Sequence, residues 1–157
     1  MTEPAYDAEL LETRLRWMSA GTTYFEAQLG ALADDDLAGR SLLAGWSRAH
    51  VASHIARNAD ALSNLLDWAR TGVEHRMYES SSHRAQDIAS GSTRSPQEIR
   101  TDAIDRARNL ASEASEMTER DWAAPVRTAR DRPIAAAEVP FMRVREVWVH
   151  YVDLGAV

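Results

Sequence analysis

The chain has 157 residues, a formal net charge of −6 and no cysteine. That length fits one domain with a single hydrophobic core, and the lack of cysteine excludes disulfides, thiolate metal ligands and a cysteine nucleophile. The acidic balance argues against a nucleic-acid-binding or anionic-membrane surface. No apolar run approaches the ~20 residues of a transmembrane helix, and the polar N-terminus does not resemble a signal peptide, so we expect a cytoplasmic protein.

All of the 18 basic residues are arginine. Codon usage in a GC-rich bacterium is the simpler explanation. A local explanation is also open, because guanidinium groups bind carboxylates in a bidentate manner. The composition is therefore compatible with a site for a small dicarboxylate.

The first predicted helix is marked by apolar residues at steps of three and four. This spacing places them on one face of a helix. They are Leu11, Leu15, Met18, Phe25, Leu29 and Leu32, with Thr22 as a polar interruption. Asp34, Asp35 and Asp36 then predict a turn.

The second predicted helix begins after Ser47, a suitable N-cap, and ends at Gly72. Its inner face is apolar and consists of Val51, Ile55, Leu62, Leu65, Leu66 and Ala69. Residues 73–94 are polar and rich in Ser, His and Arg. For them we predict a long loop, which at this length is usually functional or disordered.

A third helix is predicted to open at Ser95–Glu98, a capping box with Pro at the first helical position. Residues 118–137 predict a loop or an irregular hairpin. The last predicted helix runs from about residue 137 to 154 and ends at Gly155. Four long helices with one medium and two long connections predict an all-α fold, a four-helix bundle that forms one domain over residues 1–157.

Glu146 and His150 lie four residues apart and therefore share one face of the last helix. If the second helix packs alongside, His54 converges with them. Two imidazoles and one carboxylate leave one coordination position open, which is the ligand set of a catalytic zinc site. Iron, nickel and cobalt accept the same ligands. The sequence thus predicts a metal site between the second and fourth helices.

Each of these residues also has a simpler interpretation. An inward-facing His54 is more often a hydrogen-bonded core residue, and Glu146 could be neutralised by Arg143 or Arg145. His50, one turn before His54, could complete a four-ligand site, which would be structural and inert. A solvent-facing or loop-bonding role for His50 is equally compatible with its place in the first turn of the helix.

Three further residues are candidates for the site. Asp153 follows His150 by three residues and Asn58 follows His54 by one turn, so each could orient the neighbouring imidazole. Arg84, in the polar stretch after the second helix, is either a solvated loop charge or a clamp for a substrate carboxylate.

Four segments carry a resemblance to a known family, and they are Ser41–His54, Asn64–Gly72, Ile88–Thr93 and Met142–Val157. Together they resemble mycothiol-dependent maleylpyruvate isomerase, in register over nearly the whole chain. More broadly, the chain is similar to the N-terminal domain of the DinB-like metal-dependent thiol transferases.

The resemblance implies a DinB-like four-helix bundle that binds zinc through His54, Glu146 and His150. Arg84 occupies the place of a family arginine in the loop after the second helix. His50 lies in the matched segment but is not a family ligand, which argues against the four-ligand site.

The implied activity is a zinc-dependent cis–trans isomerisation of maleylpyruvate to fumarylpyruvate. Zinc would hold the thiolate of mycothiol, the low-molecular-weight thiol of actinobacteria, in its open position. Addition of that thiolate to the double bond, rotation and expulsion of the thiol would give the product. Arginines, Arg84 among them, would hold the substrate carboxylates.

Two other functions are compatible with the same residues. One is a mycothiol S-transferase that acts on other electrophiles, and the other is a non-catalytic zinc- or thiol-binding module that acts through a partner. Family members continue into a second, smaller domain that covers the site and supplies a further arginine. This sequence ends at Val157 after the last helix, so we expect either a fragment of a longer protein or a chain without the second domain. In both cases we expect the zinc site to be retained and the uncovered surface to favour self-association.

Overall fold

The computed structural model describes residues 6–155 and is mostly helical, which confirms the predicted fold class. The α-helices of this part of the chain are α1 Ala8–Ala31, α2 Arg48–Thr71, α3 Ser81–Ser92, α4 Pro96–Ser115, α5 Glu119–Ala123 and α6 Val139–Asp153. Strands β1 Pro125–Arg127 and β2 Pro133–Ala135 form an antiparallel hairpin, and 3-10 helices lie at Asp34–Ala38 and Ala136–Glu138. None of the helices within residues 6–155 is both long and apolar enough to cross a lipid bilayer.

The predicted helix ends agree with local capping interactions. The Ser47 hydroxyl accepts a hydrogen bond from the His50 amide at the start of α2, and Gly72 ends that helix in the left-handed region with φ 74°. Ser95 and Glu98 form the predicted capping box at the start of α4. These ends could be predicted because a cap satisfies backbone groups within a few residues of itself.

The prediction of a loop across residues 73–94 is wrong, because this stretch contains α3. The Ser80 hydroxyl accepts from the His83 amide and caps the helix. Only Ile88 of α3 is buried, so the apolar periodicity that marks most helices is missing. The helix is held to α2 by a hydrogen bond of 2.9 Å from Ser53 Oγ to the Ile88 carbonyl. Gly91 permits this close approach, since a Cβ there would collide with the Ser53 side chain.

The prediction for residues 118–137 is confirmed for the hairpin and incomplete for the rest. The segment first forms the short helix α5 and then the two strands. Val126 and Ile134 are paired across the strands and are both buried, so the hairpin is anchored in the core by its apolar face.

Helix α2 is the central element of the fold. It packs against α3, α4 and α6, while α1 packs against α6 and α4. A helix surrounded in this way is buried on most of its circumference, and even its polar residues Ser53, His54 and Asn58 are inaccessible. The contact between α2 and α6 decides the position of the candidate site.

A candidate metal centre between α2 and α6

The structure brings together His54, Glu146 and His150. His54 Nε2 lies 2.8 Å from Glu146 Oε2, and His150 Nε2 lies 3.2 Å from the same oxygen. One potential ligand atom from each residue lies within 4.8 Å of the other two. Since Zn²⁺ binds such atoms at about 2.0–2.2 Å, the three donors can share one ion after small side-chain adjustments.

The alignment of the two helices depends on a buried cation one turn before Glu146. Arg143 is only 1% exposed, and its Nη1 donates to the Ile55 carbonyl at 2.8 Å and to Asn58 Oδ1 at 2.9 Å. Burial lowers the pKa of Arg143 to about 10, against the raising effect of the Glu146 and Glu26 carboxylates. The guanidinium is therefore charged at neutral pH and fixes α6 to the turn of α2 that carries His54.

The three candidate ligands differ in their access to solvent. The side chain of His54 is 5% exposed, that of His150 12% and that of Glu146 27%. A cavity of about 540 Å³ is lined by His54 and Glu146 on one wall. The donors are thus held from the protein side, and one side of the centre stays open to the cavity, as a catalytic metal site requires.

The protonation states follow from burial and the shared hydrogen bonds. Burial favours a protonated Glu146, but hydrogen bonds from His150 and His54 outweigh it and hold the pKa of Glu146 well below its usual range. Burial lowers the pKa of His54, more strongly than Glu146 raises it. Burial also lowers the pKa of His150, but Glu146 and Asp153 outweigh this effect and raise it. Glu146 is therefore ionised at neutral pH, and of the two imidazoles His150 takes up a proton more readily than His54.

Hydrogen bonds to the outer nitrogens fix the orientation of both imidazoles. Asp153 Oδ2 lies 2.8 Å from His150 Nδ1, and Arg84 Nη2 lies 3.2 Å from His54 Nδ1. A guanidinium can only donate, so His54 Nδ1 is the acceptor and its proton is on Nε2. Asn58, which could have oriented His54, instead bonds to Arg143.

His50 lies outside this group although it precedes His54 by a single turn. Its Nδ1 is 2.7 Å from the Ser47 hydroxyl and its Nε2 is 3.3 Å from the Ser92 hydroxyl. Both ring nitrogens are thus occupied by serines, one at the start of α2 and one at the end of α3. The structure therefore gives His50 the loop-bonding position.

The cavity also contains residues that the sequence did not mark as part of a substrate or metal site. Arg130 and Arg132 come from the turn of the hairpin, and Arg145 comes from α6. Tyr78 forms another part of the wall. The Arg84 guanidinium carbon lies over its ring, 5.5 Å from the ring centroid. No periodicity or motif marks these residues, because their side chains meet only through the packing of the hairpin against α2 and α6.

Comparison with known proteins identifies the same family that the sequence resembles, and the match extends over most of the chain. The family model of the mycothiol maleylpyruvate isomerase N-terminal domain matches residues 18–155. Two similar solved structures are those of the mycothiol-dependent maleylpyruvate isomerase, at 42% identity, and of a histidine-to-alanine mutant of that enzyme, at 41% identity. Both match with a TM-score of 0.92 over 94% of this chain.

The matched region is only part of those proteins, since it covers 61% of each solved chain. No curated protein sequence matches significantly. The family model nevertheless covers well over half of the chain, and the solved structures agree with it. The chain therefore belongs to the family of mycothiol maleylpyruvate isomerase N-terminal domains.

Proposed function

We propose that this chain is the zinc-binding domain of a mycothiol-dependent maleylpyruvate cis–trans isomerase. The observation that carries the proposal is the convergence of His54, Glu146 and His150 beside an arginine-lined cavity. Membership of the family supports the choice of thiol and substrate. The donor set fits zinc, because two imidazoles and one carboxylate with an open side are a known catalytic arrangement for this ion.

When bound, zinc would supply an open coordination position that favours the thiolate form of mycothiol. The isomerisation itself needs that thiolate to form a C–S bond at the cis double bond of maleylpyruvate, with the electron pair moving to the conjugated ketone oxygen. Rotation about the resulting single bond and cleavage of the C–S bond give fumarylpyruvate and return the thiolate. The sequence of bonds consumes neither thiol nor redox equivalents.

Asp153 has a defined task in this scheme. It accepts from His150 Nδ1, so a neutral His150 keeps its proton on Nδ1 and presents the Nε2 lone pair to the site. The same carboxylate prevents rotation of the ring. Asp153 is therefore a positioning residue and does not contact the substrate.

Arg84 is the residue of the centre best suited to a substrate carboxylate. In the structure its guanidinium donates to His54 Nδ1. If Nε2 of a neutral His54 serves as a ligand, the proton resides on Nδ1 and that acceptor is lost. Arg84 would then be available to bind a carboxylate or to stabilise the negative charge that develops on the ketone oxygen.

Metal content and turnover test the proposal together. We expect about one zinc per chain in the wild type and loss of most of it in His54→Ala, Glu146→Ala and His150→Ala, whereas His50→Ala retains it. The zinc-loaded wild type should convert maleylpyruvate with catalytic amounts of mycothiol, and chelation should abolish conversion. Stoichiometric thiol consumption would favour an S-transferase instead. Zinc binding without turnover of any electrophile would favour a non-catalytic module.

A further inference from the structure

The cavity beside the candidate metal centre has an unusual balance of charge. Arg84, Arg130, Arg132 and Arg145 all line it, whereas Glu146 is the one carboxylate of its lining. The complete chain carries a net charge of −6, so this concentration of positive charge runs against the composition of the protein. Such a local surplus of guanidinium groups attracts anions.

These arginines are also without acidic partners. Among residues 6–155, no carboxylate lies within 4.0 Å of the guanidinium nitrogens of Arg130, Arg132 or Arg145, although eight other arginines make such ion pairs, namely Arg14, Arg57, Arg70, Arg76, Arg94, Arg100, Arg106 and Arg127. The arginines that line the cavity therefore lack the ion pairs that neutralise these eight.

The hairpin contains one acid, Asp131, and its carboxylate is directed to other arginines. Asp131 Oδ2 lies 3.5 Å from Arg127 Nη1, and Oδ1 lies 4.0 Å from Arg76 Nη1. Arg127 also donates to the Asp131 carbonyl at 2.9 Å. The acid of the turn thus pairs with two arginines outside this cavity, and Arg130 and Arg132 on either side of it stay unneutralised.

The turn that presents Arg130 and Arg132 is well defined. The Thr128 amide donates to the Arg132 carbonyl at 3.0 Å, and the Asp131 amide donates to the Thr128 carbonyl at 2.8 Å. Asp131 adopts the left-handed region with φ 60°, which an Asp tolerates better than most residues. The arginines therefore project from a support that needs little ordering when a ligand binds.

We propose that Arg130, Arg132 and Arg145 form a second anion subsite, which binds one carboxylate of a ligand whose other carboxylate is bound by Arg84. The inference rests on the proposed function for the role of Arg84 and of the centre. Two carboxylates of one ligand would thereby be held by arginines from α3, the hairpin and α6. The subsite makes the cavity selective for dianions, because a monoanion leaves one group of guanidiniums without a partner.

The subsite can be tested without turnover. The chain as purified, without removal of any bound metal, is titrated by calorimetry with maleate, a dianion, and with acrylate, a monoanion of similar shape. We expect the wild type to prefer maleate, and Arg130→Gln and Arg132→Gln each to weaken maleate binding about 10-fold or more, with little change for acrylate. Arg145→Gln should act in the same direction.

Arg120→Gln is the matched control, because Arg120 is an exposed arginine of α5 that does not line the cavity. It removes the same charge from the chain and should leave maleate binding unchanged. Equal losses in Arg120→Gln and Arg132→Gln would overturn the subsite, since only the overall charge would then matter. Absence of a preference for maleate in the wild type would overturn it as well.

The subsite and the proposed function fail in different experiments. If the wild type binds zinc and isomerises maleylpyruvate while Arg130→Gln and Arg132→Gln retain its KM, the subsite is wrong and the isomerase assignment stands. If maleate selectivity depends on these arginines but the chain takes up no zinc, the subsite stands and the metal-dependent reaction is wrong. Circular dichroism and thermal melting of each variant identify any loss of folding.

Discussion

Two consecutive turns of α2 carry a histidine each, and the structure uses them in opposite ways. His50 contacts Ser47 and Ser92 with its two ring nitrogens and contributes to the start of the helix. His54 contacts Glu146 on one side and Arg84 on the other, 4% exposed and next to the cavity. The residue type, the helix and the periodicity are the same, so the difference comes from the side chains around each ring, which are two serines at His50 and Glu146 and Arg84 at His54.

The comparison shows what turns a histidine into a candidate ligand. At His50 the neighbours are neutral hydroxyl groups that satisfy both nitrogens, and no carboxylate approaches the ring in the described structure. At His54 an ionised carboxylate and a second imidazole converge on Nε2, which is the arrangement a divalent cation completes.

Removal of one imidazole at a time should break the contrast most strongly. We expect His54→Ala to lower zinc affinity by more than the ~10–100-fold that follows loss of an outer hydrogen-bond partner, because a direct ligand is lost. His50→Ala should keep wild-type affinity. Competition with a chromophoric chelator measures both constants. Equal losses would mean that four protein ligands close the site, and the open position needed for a thiolate would not exist.

Arg143→Met tests the tie that holds α6 against the turn of α2 bearing His54. The substitution leaves the Ile55 carbonyl and Asn58 Oδ1 buried without this donor, so we expect the free energy of unfolding to fall by about 2–4 kcal/mol. Urea denaturation measures the change. Arg145→Met, two residues further along the same helix and exposed, is the control and should be close to neutral. A similarly small change in the free energy of unfolding of both variants would mean that Arg143 does not align the two helices.

Asp153→Asn separates orientation of His150 from its charge. A protonated imidazole cannot bind zinc, so affinity should rise with pH until it passes the pKa of His150 and then level off. Asp153 is one of the groups that raise the pKa of His150. Its neutralisation should therefore lower the pH above which the zinc affinity stays constant. The constant zinc affinity at high pH should be about 10–100-fold lower than in the wild type, because the His150 ring is less well oriented. Zinc titrations between pH 5.5 and about 8 separate the two effects, and an unchanged profile would exclude Asp153 from this role.

Ser47→Ala should affect the His50 turn and spare the His54 turn. Loss of the hydroxyl removes the N-cap of α2 and one partner of His50, at an expected cost of about 1 kcal/mol in the free energy of unfolding. Zinc affinity should remain that of the wild type. A drop in zinc affinity at constant secondary structure would show that the two turns are coupled, contrary to the contrast described above.

The sequence was informative wherever a structural signal lies within a few residues. Ser47 and Gly72 gave the ends of α2, and the capping box at Ser95 gave the start of α4, because caps act on adjacent backbone groups. The spacing of Glu146 and His150 placed both on one face of α6 for the same local reason. Helix α3 was not predicted, because its polar sequence buries only Ile88 and lacks apolar periodicity.

The sequence by itself thus determined the helical class, both ends of α2, the start of α4 and a set of candidate metal ligands. Only the tertiary structure decided which histidine of α2 meets Glu146, a contact between positions 92 residues apart. It also decided that the arginines of the hairpin face the cavity. The physical reason is range: capping and periodicity act along the chain, whereas a binding site consists of side chains that meet only after distant segments have packed.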